Sequence, residues 1–246
     1  MREMSATVDP DEIRRFTAHA QAWWDPEGSF RPLHRLNPTR LAFIRRHLVD
    51  HFCRNASSLR PFDGLSLLDI GCGGGLVAEP MARLGFTVTA VDADADAIAV
   101  ARCHAEATSL AIDYRIGTAE ALVGTGQRFD VVLALEVIEH VANPAAFFKC
   151  AGMLVQQRGA FVGATLNRTA RSFAMAIIGA EYILGWLPRG THDWRKFMRP
   201  SELVLGLRRN QLRATQLAGL SYHLPRGEWS VSRDLAVNYM VMAERE

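Results

Sequence analysis

The spacing of apolar residues changes along this chain. From Leu65 onward, short apolar runs alternate with stretches in which apolar residues recur every three or four positions. The runs LSLLDI (65–70), TVTAVD (87–92), AIDYRIG (111–117), RFDVVLALE (128–136) and GAFVGATLN (159–167) predict strands. Between them AEPMARLG, ADAIAVARCHAEA and residues 144–154 predict helices. Strands that alternate with helices need crossover connections, which build a parallel sheet covered on both faces. A helix follows at 200–210, opened by Pro200 and Ser201, and then two strands near 212–218 and 237–243. The expected fold is α/β, a doubly wound, Rossmann-like sheet of seven mostly parallel strands.

Ahead of this core, residues 10–24 and 38–51 read as two helices around a turn-rich connector, DPEGSFRPLHRLNP. No internal repeat or low-complexity linker divides the chain. One domain is therefore expected over 1–246: an N-terminal helical cap (1–60), a nucleotide-binding core (61–167), an inserted lid (168–196) and a C-terminal helix with strands (197–246).

Composition narrows the classes. The 246 residues carry a net charge of +2, too small a field to favour nucleic acid. Only Lys149 and Lys196 are lysines, and the arginines that make up the other basic residues are scattered rather than striped. Cys53, Cys72, Cys103 and Cys150 show no paired spacing, which fits a reducing compartment. MREMSATVDPDEIRRF has no apolar signal core, so a cytoplasmic location is expected.

The candidate nucleotide site is Asp69-Ile-Gly71-Cys-Gly73-Gly74-Gly75, which leaves a strand and opens a helix. Glycines there permit positive φ and close backbone approach to a ligand. Asp92 ends the next strand, twenty-one positions after Gly71, a spacing that suits a carboxylate on ribose hydroxyls. A dinucleotide loop would place a third glycine at 76, where Leu76 stands, so NAD and FAD are disfavoured. Asp69 would repel a pyrophosphate but suits a cationic amino group.

LLDIGCGGG, TAVD and ALEVIEHV together resemble the class I S-adenosyl-L-methionine-dependent methyltransferases. HRLNPTR (34–40), EVIEHV (136–141), TLNRT (165–169), GAEYIL (179–184) and GTHDWRKF (190–197) resemble one branch, the ubiquinone-biosynthesis O-methyltransferases. The similarity runs from about Trp24 to Tyr239. It implies that Arg40, in an NPTR turn, holds the carboxylate of S-adenosyl-L-methionine. It implies that Gly71 and Gly73 line the methionine part, that Asp92 binds ribose, and that Leu135 packs on the cofactor. Thr118 stands where many methyltransferases carry an acid, which leaves adenine recognition to the backbone of Ala119. His34 precedes the turn and is expected to help close the site.

Methyl transfer from a sulfonium is an in-line displacement that needs an aligned acceptor and proton removal. A phenol, with a pKa of about 10, needs a base or a metal at neutral pH. Glu136, Glu139 and His140 share a face if their segment is helical. Two readings stay open. The three hold a divalent cation such as Mg2+, which would chelate a catechol, or the carboxylates orient His140, which acts alone as base. His192 and Asp193 form a second pair, more simply read as closing a loop.

The expected function is O-methylation of a polyprenylated catechol or quinol, with the resemblance implying both O-methylation steps of ubiquinone synthesis. Another small phenol as acceptor, or a non-catalytic cofactor-binding scaffold in a ubiquinone-biosynthesis complex, are the alternatives. Nucleic-acid amino methylation lacks its aromatic clamp, because Asn143-Pro144 continues Ala-Ala. The apolar stretch 172–187 is too short for a span of about 20 residues. Arg168, Arg171, Arg189, Arg195 and Lys196 flank it, and Phe173, Tyr182 and Trp186 supply aromatics. That pattern suits either a core helix or a lid touching anionic membrane lipid, peripherally on the inner face of the cytoplasmic membrane.

Overall fold

The computed structural model describes residues 22–175, 193–223 and 226–246. Five parallel strands carry the nucleotide-binding half: β1 (Ser66–Ile70), β2 (Thr87–Asp92), β3 (Ile112–Ile116), β4 (Phe129–Leu135) and β5 (Val155–Leu166). Three more, β6 (Leu212–His223), β7 (Glu228–Ser232) and β8 (Asn238–Arg245), extend the sheet in the order β3-β2-β1-β4-β5-β8-β6-β7. β1 pairs in parallel with both β2 and β4, so the winding reverses at β1. Sheets of this kind bind ligands outside the carboxyl ends of the strands at that reversal. β8 runs antiparallel between β5 and β6.

Strand alternation sorts the core into two layers. Leu67, Val88, Val131, Leu133 and Val162 face α1 (Arg31–His51), α2 (Ala78–Arg83) and α3 (Ala95–Ala107). Their neighbours Leu68, Val91, Val132, Ala134 and Phe161 face α4 (Ala119–Gly124), α5 (Pro144–Leu154) and a later helix, Pro200–Arg209. Between β5 and that helix the described residues include a short helical turn, α6 (Ala170–Ser172), and Pro200–Arg209 is labelled α7.

Three departures from the sequence pattern have physical causes. Among the described residues the sheet has eight strands rather than seven: β7 (EWSVS) is an edge strand with no fully buried residue, so it carries little apolar signal. β5 begins at Val155, because VQQR at its start is mostly exposed and hides its strand period. α1 begins at Arg31, so the expected NPTR turn is helical and Arg40 projects from a helix. Pro38 lies inside α1, where it removes one backbone bond. Bonds from the same turns offset that loss: Asn37 Nδ2 donates to Leu76 O (2.7 Å) and His34 Nε2 to Trp23 O (2.8 Å).

The helix expected over 10–24 lies outside the described residues up to Gln21, and Ala22–Trp24 form a turn. Most of the stretch 172–187 also lies outside them, as do Arg189 and His192. Among the described residues no helix is long and apolar enough to cross a membrane.

Candidate active site

The site forms where β1, β2 and β4 end. Gly71, Gly73 and Gly75 of the loop after β1 all have positive φ, a region that β-carbons disfavour. The loop is braced from β2: Asp92 Oδ2 accepts from Gly73 N (2.8 Å) and Asp92 Oδ1 from Asp94 N (2.9 Å). Each carboxylate oxygen retains a second lone pair for a ribose hydroxyl. Burial raises the Asp92 carboxyl above its usual range, against these backbone bonds.

Asp69, at the end of β1, is 3% exposed, and its Oδ2 has no hydrogen-bond partner among the described residues. Burial first, and the Asp92 charge second, push its carboxyl up to about 7. A buried acid in that state is a natural receptor for a cationic group, which would draw it back to the ionised form.

The glycines do more than the sequence suggests. A Cβ on Gly71 would lie 2.4 Å from Val137 Cγ2. The glycine loop therefore packs directly on the segment that carries Glu136, Glu139 and His140. Leu135 ends β4, buried and paired with Ala164 of β5. Ala119 is buried and opens α4.

The segment that carries Glu136, Glu139 and His140 is not a regular α-helix, although the Glu136 and Glu139 carboxyls lie together. Glu136 stands in the left-handed region (φ 55°), and only Ile138–His140 make a 3₁₀ turn. Glu136 also meets Arg40: Nη2 donates to Oε1 at 2.5 Å, with the arginine side chain 4% exposed and the glutamate 20%. Ninety-six positions separate the two residues. Glu139 is buried, accepts from Thr165 Oγ1 (2.6 Å) and lies against the Glu136 carboxyl. Burial, then the Glu136 charge, hold its carboxyl well above the usual range. A divalent cation would relieve the repulsion between these two neighbouring carboxylates, and the donor types fit one. As the side chains stand, however, no three His, Cys, Asp or Glu among the described residues gather at one point, and Glu136 is turned to Arg40.

Asp193 caps the turn Trp194–Lys196 by accepting from Arg195 N (3.0 Å), the loop-closing role expected of it. In the lid region Arg168 pairs with Glu202, and Arg171 with Asp234 (2.5 Å). These two arginines thus already have acidic partners within the chain. Phe173 and Met175 are 44% and 46% exposed. Sequence reasoning missed Trp23, Trp24 and Thr165. The WWD triplet was a visible signal, but its target is fifty positions away at Gly74.

A Rossmann-like sheet with a glycine loop, an acid after β2 and an acid–histidine segment after β4 defines a methyltransferase that uses S-adenosylmethionine. A methyltransferase-domain family model matches residues 39–217. The fold resembles magnesium protoporphyrin IX methyltransferase of Synechocystis PCC 6803 with bound S-adenosylhomocysteine (TM-score 0.65, 17% identity, 96% of this chain and 94% of that one). The chain is 54% identical over 235 residues to the ubiquinone biosynthesis O-methyltransferase of Paramagnetospirillum magneticum, covering 96% of this chain and 94% of the relative. With the protein of that name from Parvibaculum lavamentivorans the identity is 53%, over 98% and 95%. The chain belongs to the ubiquinone biosynthesis O-methyltransferase family.

Proposed function

We propose that the enzyme transfers the methyl group of S-adenosylmethionine to a phenolic oxygen of polyprenylated catechol or quinol intermediates, at both O-methylation steps of ubiquinone synthesis. The contact of Gly71 with Val137 carries this reading, because it sets the acid–histidine segment against the cofactor loop. In it, Asp92 holds ribose, Leu135 packs on the cofactor, the backbone of Ala119 meets adenine, and Asp69 faces the amino group. Arg40 exchanges Glu136 for the cofactor carboxylate. His140 takes the phenol proton as attack proceeds in line. Once released by Arg40, Glu136 would join Glu139 and His140 as the residues to hold a cation such as Mg2+. That ion would supply Lewis acidity, lowering the phenol pKa.

The long prenyl tail gives a reason for the lid. Residues 168–196 would rest on anionic lipid at the inner face of the cytoplasmic membrane and admit the tail. The exposure of Phe173 and Met175 supports this, whereas the ion pairs of Arg168 and Arg171 leave lipid binding to the other basic flanks. The test of the reaction is methyl transfer from labelled S-adenosylmethionine to a prenylated catechol, with the mono-methylated phenol as product. Cofactor binding without transfer to any catechol or quinol would overturn it.

A further inference from the structure

Residues 22–34 fold back over the glycine loop, and the loop is shaped around them. A Cβ on Gly73 would lie 2.4 Å from Trp23 Cη2, and one on Gly74 would lie 2.4 Å from Trp23 Cγ. These two glycines therefore make room for an indole of the chain itself. Trp23 is buried and stacks on Phe30, with ring centroids 3.8 Å apart. Its buried Nε1 has no hydrogen-bond partner among the described residues. Next to it, Trp24 Nε1 donates to Gly74 O (2.9 Å), and the Trp24 ring stacks on His104 at 3.5 Å. His104 is fixed in turn by Glu79 (2.6 Å), and Trp23 O accepts from His34 (2.8 Å).

We propose that this strap is a cofactor latch. Trp23 walls the glycine-loop side of the cofactor cavity, Trp24 is the catch, and the strap lifts to admit S-adenosylmethionine and release S-adenosylhomocysteine. Two independent observations point the same way. A buried indole N–H without an acceptor is costly in a finished core, and a bound molecule rich in acceptors removes that cost. The catch, moreover, consists of one neutral hydrogen bond and one stack on a part-exposed histidine, contacts weak enough to break in each turnover. The same loop that carries the catch is braced by Asp92, so strap and ribose site are coupled through Gly73 and Gly74. The latch rests on the cofactor placement proposed above.

The test is surface plasmon resonance of S-adenosylhomocysteine on immobilised full-length protein. Trp24→Leu removes both catch contacts, Trp24→Phe only the donor, and His104→Ala only the stack. Losing the catch frees the strap in both the empty and the occupied protein. Association and dissociation should therefore both rise about tenfold in Trp24→Leu, with affinity within about threefold of wild type. Trp24→Phe and His104→Ala should fall between. Trp23→Phe keeps the wall and loses the donor, so it should weaken affinity about fivefold through dissociation alone. Unchanged rates in the Trp24 and His104 variants, or faster dissociation with flat association, would overturn the latch. An Asp92→Ala variant that binds as tightly as wild type would overturn placement and latch together.

Discussion

Arg40→Met should destabilise the protein by about 3 kcal/mol. The guanidinium is 4% exposed and bonds Glu136 at 2.5 Å. A hydrogen bond to a charged group contributes about 1.5–3 kcal/mol net. Truncation also strands Glu136 beside the buried Glu139 carboxyl, and breaking a buried pair costs about 3–5 kcal/mol. The Glu136 side chain keeps 20% of its surface in solvent, which places the expected loss at the lower end. For a chain of this length the melting temperature should fall by about 6–12 °C. Glu136→Gln should cost a comparable amount, because it leaves a buried arginine uncompensated. The double variant should recover about 2 kcal/mol of the summed loss. Urea unfolding of the four proteins measures the cycle, and calorimetric titration with S-adenosylmethionine accompanies it. If Arg40 serves the cofactor carboxylate, the double variant regains stability but binds about tenfold to a hundredfold more weakly. A coupling below about 0.5 kcal/mol would refute the ion pair. Wild-type affinity in the double variant would refute the carboxylate role.

Asp69 gives a pH signature. Its folded pKa of about 7 lies above the unfolded value, so the folded state binds the extra proton and the free enzyme loses stability as pH rises toward 7. Asp69→Asn should flatten that slope. A cationic cofactor should bind more tightly as pH rises through the same range and release protons on binding below it, read by titration in buffers of different ionisation enthalpy; no proton release would count against the contact. His140→Ala should abolish methyl transfer while cofactor affinity stays within about threefold, since its proposed role is toward the acceptor, and full turnover would exclude it as base. If the cation reading holds, chelator abolishes turnover and a divalent ion restores it; full activity in chelator leaves His140 as a metal-free base. Wild type should co-sediment with anionic liposomes and Ile178→Glu/Leu184→Glu should not, whereas equal sedimentation would remove the lid as a lipid contact.

The elements that sequence reading located best are those buried on both sides. β1, β2 and β4 each fall within a residue of the expected run, because covered parallel strands are apolar nearly throughout; the edge strand β3, with Asp113 and Ile116 exposed, was found as closely by its alternating pattern. Asp92 and the glycine loop were legible for a related reason: φ signs and strand ends are local properties. What escaped was set by distant partners. Pro38 argued for a turn, yet Asn37 and Arg40 find partners at Leu76 and Glu136 that keep α1 intact across it. Gly73 and Gly74 read as space for a ligand, while the structure places Trp23 against them. The left-handed backbone at Glu136 keeps its segment from being a regular helix, and no local pattern signals a non-glycine residue there.

The placement of β8 bears on how the enzyme is made. The last strand in chain order is inserted between β5 and β6, so its partners are synthesised first and wait for it. Until Asn238–Arg245 leave the ribosome, β5 offers an open apolar edge to every neighbouring nascent chain. Glu139 depends on Thr165 of that same β5, and Thr165 pairs with Tyr239 of β8. The nucleotide loop can form from the early chain alone, whereas the acid–histidine side matures only when the sheet is complete. A translation intermediate would then hold S-adenosylmethionine before it can use it, and the period of greatest aggregation risk is the time taken to translate from β5 to β8.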